Sequence, residues 1–477
     1  MVWLVATAWA ASPPQASADA PAPTAGTLQD RMARGLLRVE PEVEVEAPAV
    51  VLSGGTVLTA TGARYEPGYV VVQEGRITAV GEGAPPEVRD ATVLDVTGKF
   101  VTPGLIDTHS HLGVYPTPFA QAHEDGNEMT SPDTAGVWAE HSTWPQDPGF
   151  ELAVAGGITA LEILPGSANL IGGRGFVARP IPARGSRAMR FPGAPQTVKM
   201  ACGENPKRVY GEKGGPATRM GNLRGQREAY LAAEAYRAAW ERWDEAHAGD
   251  DPSKKKKKKR SKQGSGPMQP PERDLDKETL LGVLDGSILP QVHCYRADDM
   301  LAMLQLADEF GFQVRSFHHA TEAYKIRDVL AARGVAASVW ADWWGFKLEA
   351  FDAVPEGAAL LAEAGARAVI HSDSEIGIQR LNQEAAKAWY AGRNAGIDID
   401  EDTALRWITA NPAWVLGIDD QTGTLEAGKR GDVVVWDAYP FSVYAHAQLV
   451  FVDGALRYDR ARPVVWSDFE IGQEVIP

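Results

Sequence analysis

The feature that most constrains this chain is a rhythm in its middle. From about 103 to 412, short apolar runs alternate with helical stretches, and several of the runs end in a residue able to hold a metal or move a proton. The runs are 157–164, 197–200, 291–293, 313–317, 336–340 and 368–370. Helical periodicity covers 298–310, 322–333, 355–364 and 380–394. Strand and helix in alternation over this length predict a parallel α/β barrel, with an open doubly wound sheet as the alternative. In a barrel the C-terminal ends of all parallel strands open on one face. That geometry would bring His109, His111, Lys199, His293, His319 and Asp373 together despite their separation in sequence.

The first of these strand ends is the most distinctive. Phe100 to Ile106 is largely apolar and runs into Asp107-Thr108-His109-Ser110-His111. Side chains at i and i+2 of a strand share a face, so His109 and His111 can grip one ion. Imidazole is the commonest protein ligand for zinc and similar ions. A His-x-His pair by itself is often only a solvated or packed pair. The further ligand types at other strand ends make metal the better account.

Both flanks read differently. Residues 48–102 and 413–470 are short β-runs broken by Gly turns, which predicts one small β domain built from both ends of the chain around a 103–412 barrel. Residues 212–285 interrupt the barrel rhythm with a polar helix over 226–247. A tip follows in which 254–262 carries eight positive charges in nine residues. The tip reads as a solvated, disordered loop more readily than as a patch for an anionic surface. Net charge is −16, which speaks against nucleic-acid binding.

The two cysteines, Cys202 and Cys294, imply no disulfide framework; they read as reduced, half-buried packing residues, with Cys294 facing away from His293 toward helices. Residues 1–11 form a short apolar run and 12–26 a Pro/Ala-rich linker. Together 1–26 suggest a secretory signal and linker without the usual positive start, hence export to the periplasm or exterior; a cytoplasmic chain is the alternative. No segment is apolar enough to span a membrane.

The elements Val101-Thr102-Pro103-Gly104-Leu105-Ile106-Asp107-Thr108-His109-Ser110-His111, Gly156-Gly157-Ile158-Thr159, Val198-Lys199-Met200, His319-Ala320-Thr321-Glu322, His371-Ser372-Asp373-Ser374 and Thr409-Ala410-Asn411-Pro412-Ala413 resemble the amidohydrolase superfamily of metal-dependent hydrolases. The resemblance is to its imidazolonepropionase-like and Xaa-Pro dipeptidase-like branch and spans about 48–460. It implies a distorted (β/α)8 TIM barrel with a small β-sandwich from both termini. It implies that His109 and His111, with Asp373, bind one ion and that His293 and His319 bind a second. Lys199 would bridge both as a carbamate formed with CO2. Two Zn ions suit these donors, with Mn, Fe or Co as alternatives. The expected activity is cleavage of a C–N bond in an amide, dipeptide or cyclic amide by metal-activated hydroxide, with Asp373 as general base and then general acid.

Several readings remain open at this level. Lys199 could instead form a salt bridge with Glu162 or Glu204. The site could be mononuclear, as in an imidazolone-type cyclic amidohydrolase or a deaminase, or the barrel could serve as a non-catalytic envelope binding protein. Tyr295 stands where the dipeptidase-like relatives carry a second histidine, so their substrate contacts do not carry over. Arg174, in a Gly-rich stretch read as a loop, and Arg208, Tyr210 and Tyr295 are candidate substrate contacts. Trp340, Trp343 and Trp344 could wall the site or be core. His318 is expected to point out of the barrel, and His371 to face either way. The 212–285 insertion could close over the mouth, and the chain could form a homo-oligomer.

Overall fold

A computed structural model describes residues 47–247 and 269–462. The expected signal segment and linker (1–26), the Lys-rich tip, and 463–470 at the end of the flank lie outside the described residues.

Five strands open the chain: β1 (Val50–Leu58), β2 (Arg64–Gln73), β3 (Arg76–Glu82), β4 (Thr92–Asp95) and β5 (Phe100–Pro103). Eight strands follow in the middle: β6 (Leu105–Ser110), β7 (Ile158–Ile163), β8 (Ile171–Ala178), β9 (Gln196–Ala201), β10 (Ile288–His293), β11 (Ser316–His318), β12 (Ala336–Val339) and β13 (Arg367–Ile370). Three close it: β14 (Val433–Trp436), β15 (Ala447–Val452) and β16 (Ala455–Asp459).

The flanks make one eight-stranded sheet in the order β16-β15-β14-β5-β1-β2-β3, with β4 also on β1. Its strands from both ends share one apolar cluster, including Val50, Leu52, Val70, Val72, Val101, Val433, Val435 and Phe451. Period-2 alternation places these residues on one face, so the two flanks bury each other. The sheet is tied to the barrel by charge. The Asp453 carboxylate accepts from Arg430 Nε and from Arg179 Nη1 at 2.5 Å, and Arg179 is 4% exposed.

The middle sheet runs β6 to β13 in chain order, and all its pairings are parallel except those of β8, which is antiparallel to both β7 and β9. A parallel crossover needs a dozen or more residues. Too few residues separate Ile163 from Ile171 for that, so the chain turns straight back and the Gly-rich stretch expected as a loop is a strand. The barrel is nearly closed. At the gap between β6 and β13, Ile106 N–H donates to Ile408 O and Ile370 N–H to Trp407 O. Helix 410–416 caps the lower end, where Ala413, Val415 and Leu416 join Ile106, Ala160, Ala336 and Val369 in one cluster.

The outer helices follow their amphipathic patterns. Helix Ala297–Phe310 buries Met300, Met303, Leu304 and Ala307, carries Asp298 and Asp299 in its first turn, and stops at Gly311 in a left-handed conformation. The insertion's helix spans Arg219–His247 and buries Asn222, Gln226, Tyr230, Ala233, Tyr236 and Trp240 at helical spacing. That stripe faces the outside of β9: Gln226 donates to Ala201 O, and Tyr230 stacks on Phe310 and Phe312. Helix Arg219–His247 is therefore part of the outer ring, while Arg273, Leu275 and Glu278, later in the insertion, line a cavity with Trp138 and Arg174.

Candidate metal centre

The ends of β6, β9, β10, β11 and β13 converge at the barrel mouth. His109 Nε2 lies 3.5 Å and His111 Nε2 3.2 Å from Asp373 Oδ1, and His319 Nε2 lies 3.8 Å from Asp373 Oδ2. The three donors of His109, His111 and Asp373 all fall within 4.8 Å of one another. Tetrahedral ligands at about 2.0–2.1 Å from an ion stand about 3.3 Å apart, so the two shorter separations suit a shared cation. His293 supports the same reading. It is 2% exposed, and among the described residues neither ring nitrogen has a hydrogen-bond partner, nor has His319 Nδ1. Buried polar atoms are ordinarily satisfied, so these rings have the character of donors without their ligand. The His293 and His319 rings are 4.8 Å apart between centroids, outside the three-residue cluster.

Two of the converging residues have unusual backbones. His319 has φ 57° and Asp373 φ 51°, the left-handed region that non-glycine residues rarely occupy. Such strain persists where surrounding structure enforces it. Here the enforcing contacts are visible: the His319 N–H donates to His371 Nε2 at 3.2 Å, and the Asp373 N–H to His109 O at 3.0 Å. Asp107 clamps the same region. Its Oδ1 accepts from the backbone N–H of His109 and of Ser372, and its Oδ2 from the Ser372 hydroxyl. Burial nevertheless pushes the Asp107 carboxyl up to about 7.

Lys199 is fully buried. Its Nζ donates to Pro165 O at 3.1 Å and stands 3.3 Å from His109 Nε2. No carboxylate ion-pairs with it among the described residues. Glu204, one expected partner, instead meets Lys347 at 3.2 Å. Burial lowers the Lys199 pKa to about 8, against the pull of Asp373 and Glu162. Glu162, also fully buried, is pushed up by burial to about 8, with the Thr197 hydroxyl and the Lys199 charge acting the other way. His109, His293, His318 and His319 all fall well below the ordinary imidazole range, chiefly through burial. Neutral imidazoles are the protonation state that cation binding requires, and burial moves Lys199 in the same direction, toward its neutral form.

The other expected residues distribute as follows. Tyr295 is at the site, its ring 5.0 Å from His293 and stacked at 5.6 Å on His319, with Lys347 Nζ 3.9 Å above it. Trp340 stacks on His319 at 4.7 Å and on Trp343 at 4.7 Å, so these two form the wall beside β12, whereas Trp344 is exposed. Arg174 is buried in β8, donates from Nε to Thr279 Oγ1 at 2.8 Å, and lies 4.6 Å over Trp138. It is held as part of the wall of a cavity of about 630 Å3 that reaches Pro165. Arg208 is exposed on helix Glu204–Tyr210, and Tyr210 is buried; no hydrogen bond, ion pair or ring contact joins either to the histidine cluster.

Two expectations are corrected. His318 points into the barrel, with Nδ1 2.9 Å from His109 Nδ1 and Nε2 2.8 Å from Gln291 Oε1. Strand β11 ends at His318, and the left-handed turn at His319 breaks the alternation that placed 317 and 319 on one face. Cys202 and Cys294 are buried and form a disulfide with Cα atoms 5.3 Å apart. Ala201 and His293 are the last register partners of the β9–β10 ladder, and the Cys202 N–H donates to His293 O, so the residues that follow the two strands lie side by side.

The Asp107 clamp, Gln291 and Lys347 escaped the sequence reading. Asp107 had a signal in its place two residues before His109; Gln291 and Lys347 had none.

Comparison with known proteins places this architecture. The profile described as "Amidohydrolase family" matches residues 355–460. The chain is 34% identical over 421 residues to amidohydrolase tasK of Hapsidospora irregularis, covering 84% of this chain but only 40% of that protein's length. It is 24% identical over 420 residues to a 5-methylthioadenosine/S-adenosylhomocysteine deaminase of Symbiobacterium thermophilum, covering 82% of this chain and 85% of the relative. A crystal structure of an amidohydrolase from Thermotoga maritima is 34% identical, covers 86% of this chain and 100% of that one, and superposes with a TM-score of 0.76. With that relative matched along its whole length, and with the barrel, composite sheet and His/His/Asp cluster in place, the chain belongs to the amidohydrolase family.

Proposed function

We propose that the protein is a metal-dependent hydrolase of a C–N bond in a small amide, dipeptide or cyclic amide, with two divalent cations, zinc by the character of the donors. The observation that carries this is the meeting of the donor atoms of His109, His111 and Asp373 within 4.8 Å beside both nitrogens of His293 and Nδ1 of His319, buried and without partners among the described residues. His109, His111 and Asp373 would hold one ion, and His293 and His319 the other. When bound, the ions supply Lewis-acid polarisation of the scissile carbonyl and a water acidified to near-neutral pKa. Asp373, a quarter exposed at the mouth, would accept a proton from the attacking water and return it to the departing nitrogen, acting as base and then acid. Lys199 would complete the donor set as a carbamate. Its neutral amine would attack the carbon of CO2: the N–C bond forms as one C=O π pair moves onto oxygen, one proton leaves the nitrogen, and the neutral amine becomes an anionic oxygen donor. The lowered Lys199 pKa favours the neutral amine that this step needs.

A mononuclear site is the second reading. Lys199 Nζ is engaged with Pro165 O, and His293 lies outside the three-residue cluster. It would suit a cyclic amidohydrolase or deaminase. Elemental mass spectrometry on protein expressed with and without bicarbonate, beside Lys199→Ala, separates the two. Two ions per chain, falling in the variant, support the carbamate-bridged hydrolase and direct assays to N-acyl amino acids and dipeptides. One ion indifferent to both changes supports the mononuclear reading. No ion after loading would overturn both and leave a binding protein. We also propose export to the periplasm or exterior, a reading that the Cys202–Cys294 disulfide supports.

A further inference from the structure

The interior of the barrel carries a polar chain that the proposed reaction does not use. Gln291 on β10 is fully buried; its Nε2 donates to Val415 O at 3.4 Å, which turns its Oε1 toward His318 Nε2 at 2.8 Å. A carbonyl oxygen only accepts, so His318 carries its proton on Nε2. The opposite amide orientation would set the Gln291 oxygen against the Val415 oxygen. His318 Nδ1 is then a lone pair, and the Nδ1 of His109 faces it at 2.9 Å. That contact is a hydrogen bond only if His109 donates from Nδ1. The Nε2 of His109 is left as a lone pair at the mouth, with Lys199 Nζ at 3.3 Å and Asp373 Oδ1 at 3.5 Å.

We infer that His318 is a positioning residue that, held by Gln291, fixes His109 in the Nδ1–H tautomer and so presents its Nε2 lone pair to a divalent cation. A metal-bound histidine usually donates its second N–H to a carboxylate, carbonyl or water; here a second imidazole takes that place and passes the constraint down the barrel to Val415. The inference rests on the reading of His109 as a metal ligand, but the tautomer itself can be read without metal.

The test uses the full chain with 15N-labelled histidine. Long-range 1H–15N spectra of metal-free protein report which nitrogen of each ring is protonated, and variants assign the signals. Co2+ affinity, measured by chelator competition and the d–d absorption of the bound ion, gives the second readout. Wild type should show His109 protonated at Nδ1 and His318 at Nε2. His318→Leu and Gln291→Leu should weaken Co2+ binding about 10–100-fold and change the d–d spectrum. His318→Asn, whose side-chain oxygen takes the place of Nδ1 as acceptor, should restore most of the affinity, a rescue that loss of folding would not permit. His109 protonated at Nε2 in wild type, or unchanged Co2+ affinity in His318→Leu, would overturn the inference. If wild type takes up no Co2+ at all, the metal-ligand reading fails while the tautomers still decide the relay.

Discussion

Glu162 offers the most quantitative test of the site's electrostatics. It lies fully buried, with Lys199 as a nearby charge, and burial raises its pKa from 4.5 to about 8. The sign follows from proton counts. Between pH 4.5 and 8 the folded chain holds a proton on Glu162 that the unfolded chain has released, so this group's contribution to stability falls as pH rises through that window. Each pH unit costs about 1.4 kcal/mol, and from 4.5 to 7.5 the cost reaches about 4 kcal/mol. Glu162→Gln keeps the shape and the hydrogen-bonding capacity of the protonated acid but cannot ionise. Urea unfolding of metal-free wild type and variant, followed by tryptophan fluorescence from pH 5 to 7.5, isolates the effect, because other titrating groups are common to both. The stability difference should shift toward the variant by up to about 1.4 kcal/mol per pH unit. Parallel profiles would mean that Glu162 ionises in the folded protein as it does in water, and would refute the burial argument.

Two structural ties give further predictions. Asp453→Ala leaves Arg179 and Arg430 without their shared carboxylate, and removing one partner from a buried pair typically costs about 3–5 kcal/mol; chemical denaturation should show that loss, and an unmoved midpoint would show that the network is solvated. Replacing Cys202 and Cys294 together by Ser opens a loop spanning 92 residues of sequence and should lower stability by about 2–4 kcal/mol. Thiol titration of the denatured, unreduced wild type should find no free cysteine, and two free thiols would dismiss the bridge.

The fold was largely legible because it rests on periodicity, which is local. Helix 297–310 shows its apolar stripe and its terminal Gly311 in the sequence itself, and the flanking strands show the turn residues that end them. What periodicity cannot reveal is direction. The run containing Gly172–Gly175 has the composition of a loop, yet it is a strand because the chain from Ile163 to Ile171 is too short for a crossover. The cysteines failed for a related reason. Facing outward, as expected of Cys294, did not decide their redox state; what decided it was that β9 and β10 are neighbours in a register that sets 202 beside 294, a fact of pairing and not of either segment alone.

The site divides in the same way. His109, His111, Lys199, His293, His319 and Asp373 could be nominated because ligand-type side chains at strand ends are chemically conspicuous, and the structure gathers six of the ten histidines at one mouth: His109, His111, His293, His318, His319 and His371. Their orientations could not be read, because alternation governs side chains only while the backbone remains extended. It stops at His319 and Asp373, whose left-handed conformations turn each chain at the point where a donor must face the cluster. These conformations are themselves imposed from a distance: His371 accepts the His319 N–H, and His109 O accepts the Asp373 N–H. The ring that sequence alternation sent outward, His318, is thereby brought in to set the tautomer of His109. A site of this kind is specified jointly by residues from several strands, so the ligands can be recognised one at a time but their aim belongs to the assembled barrel.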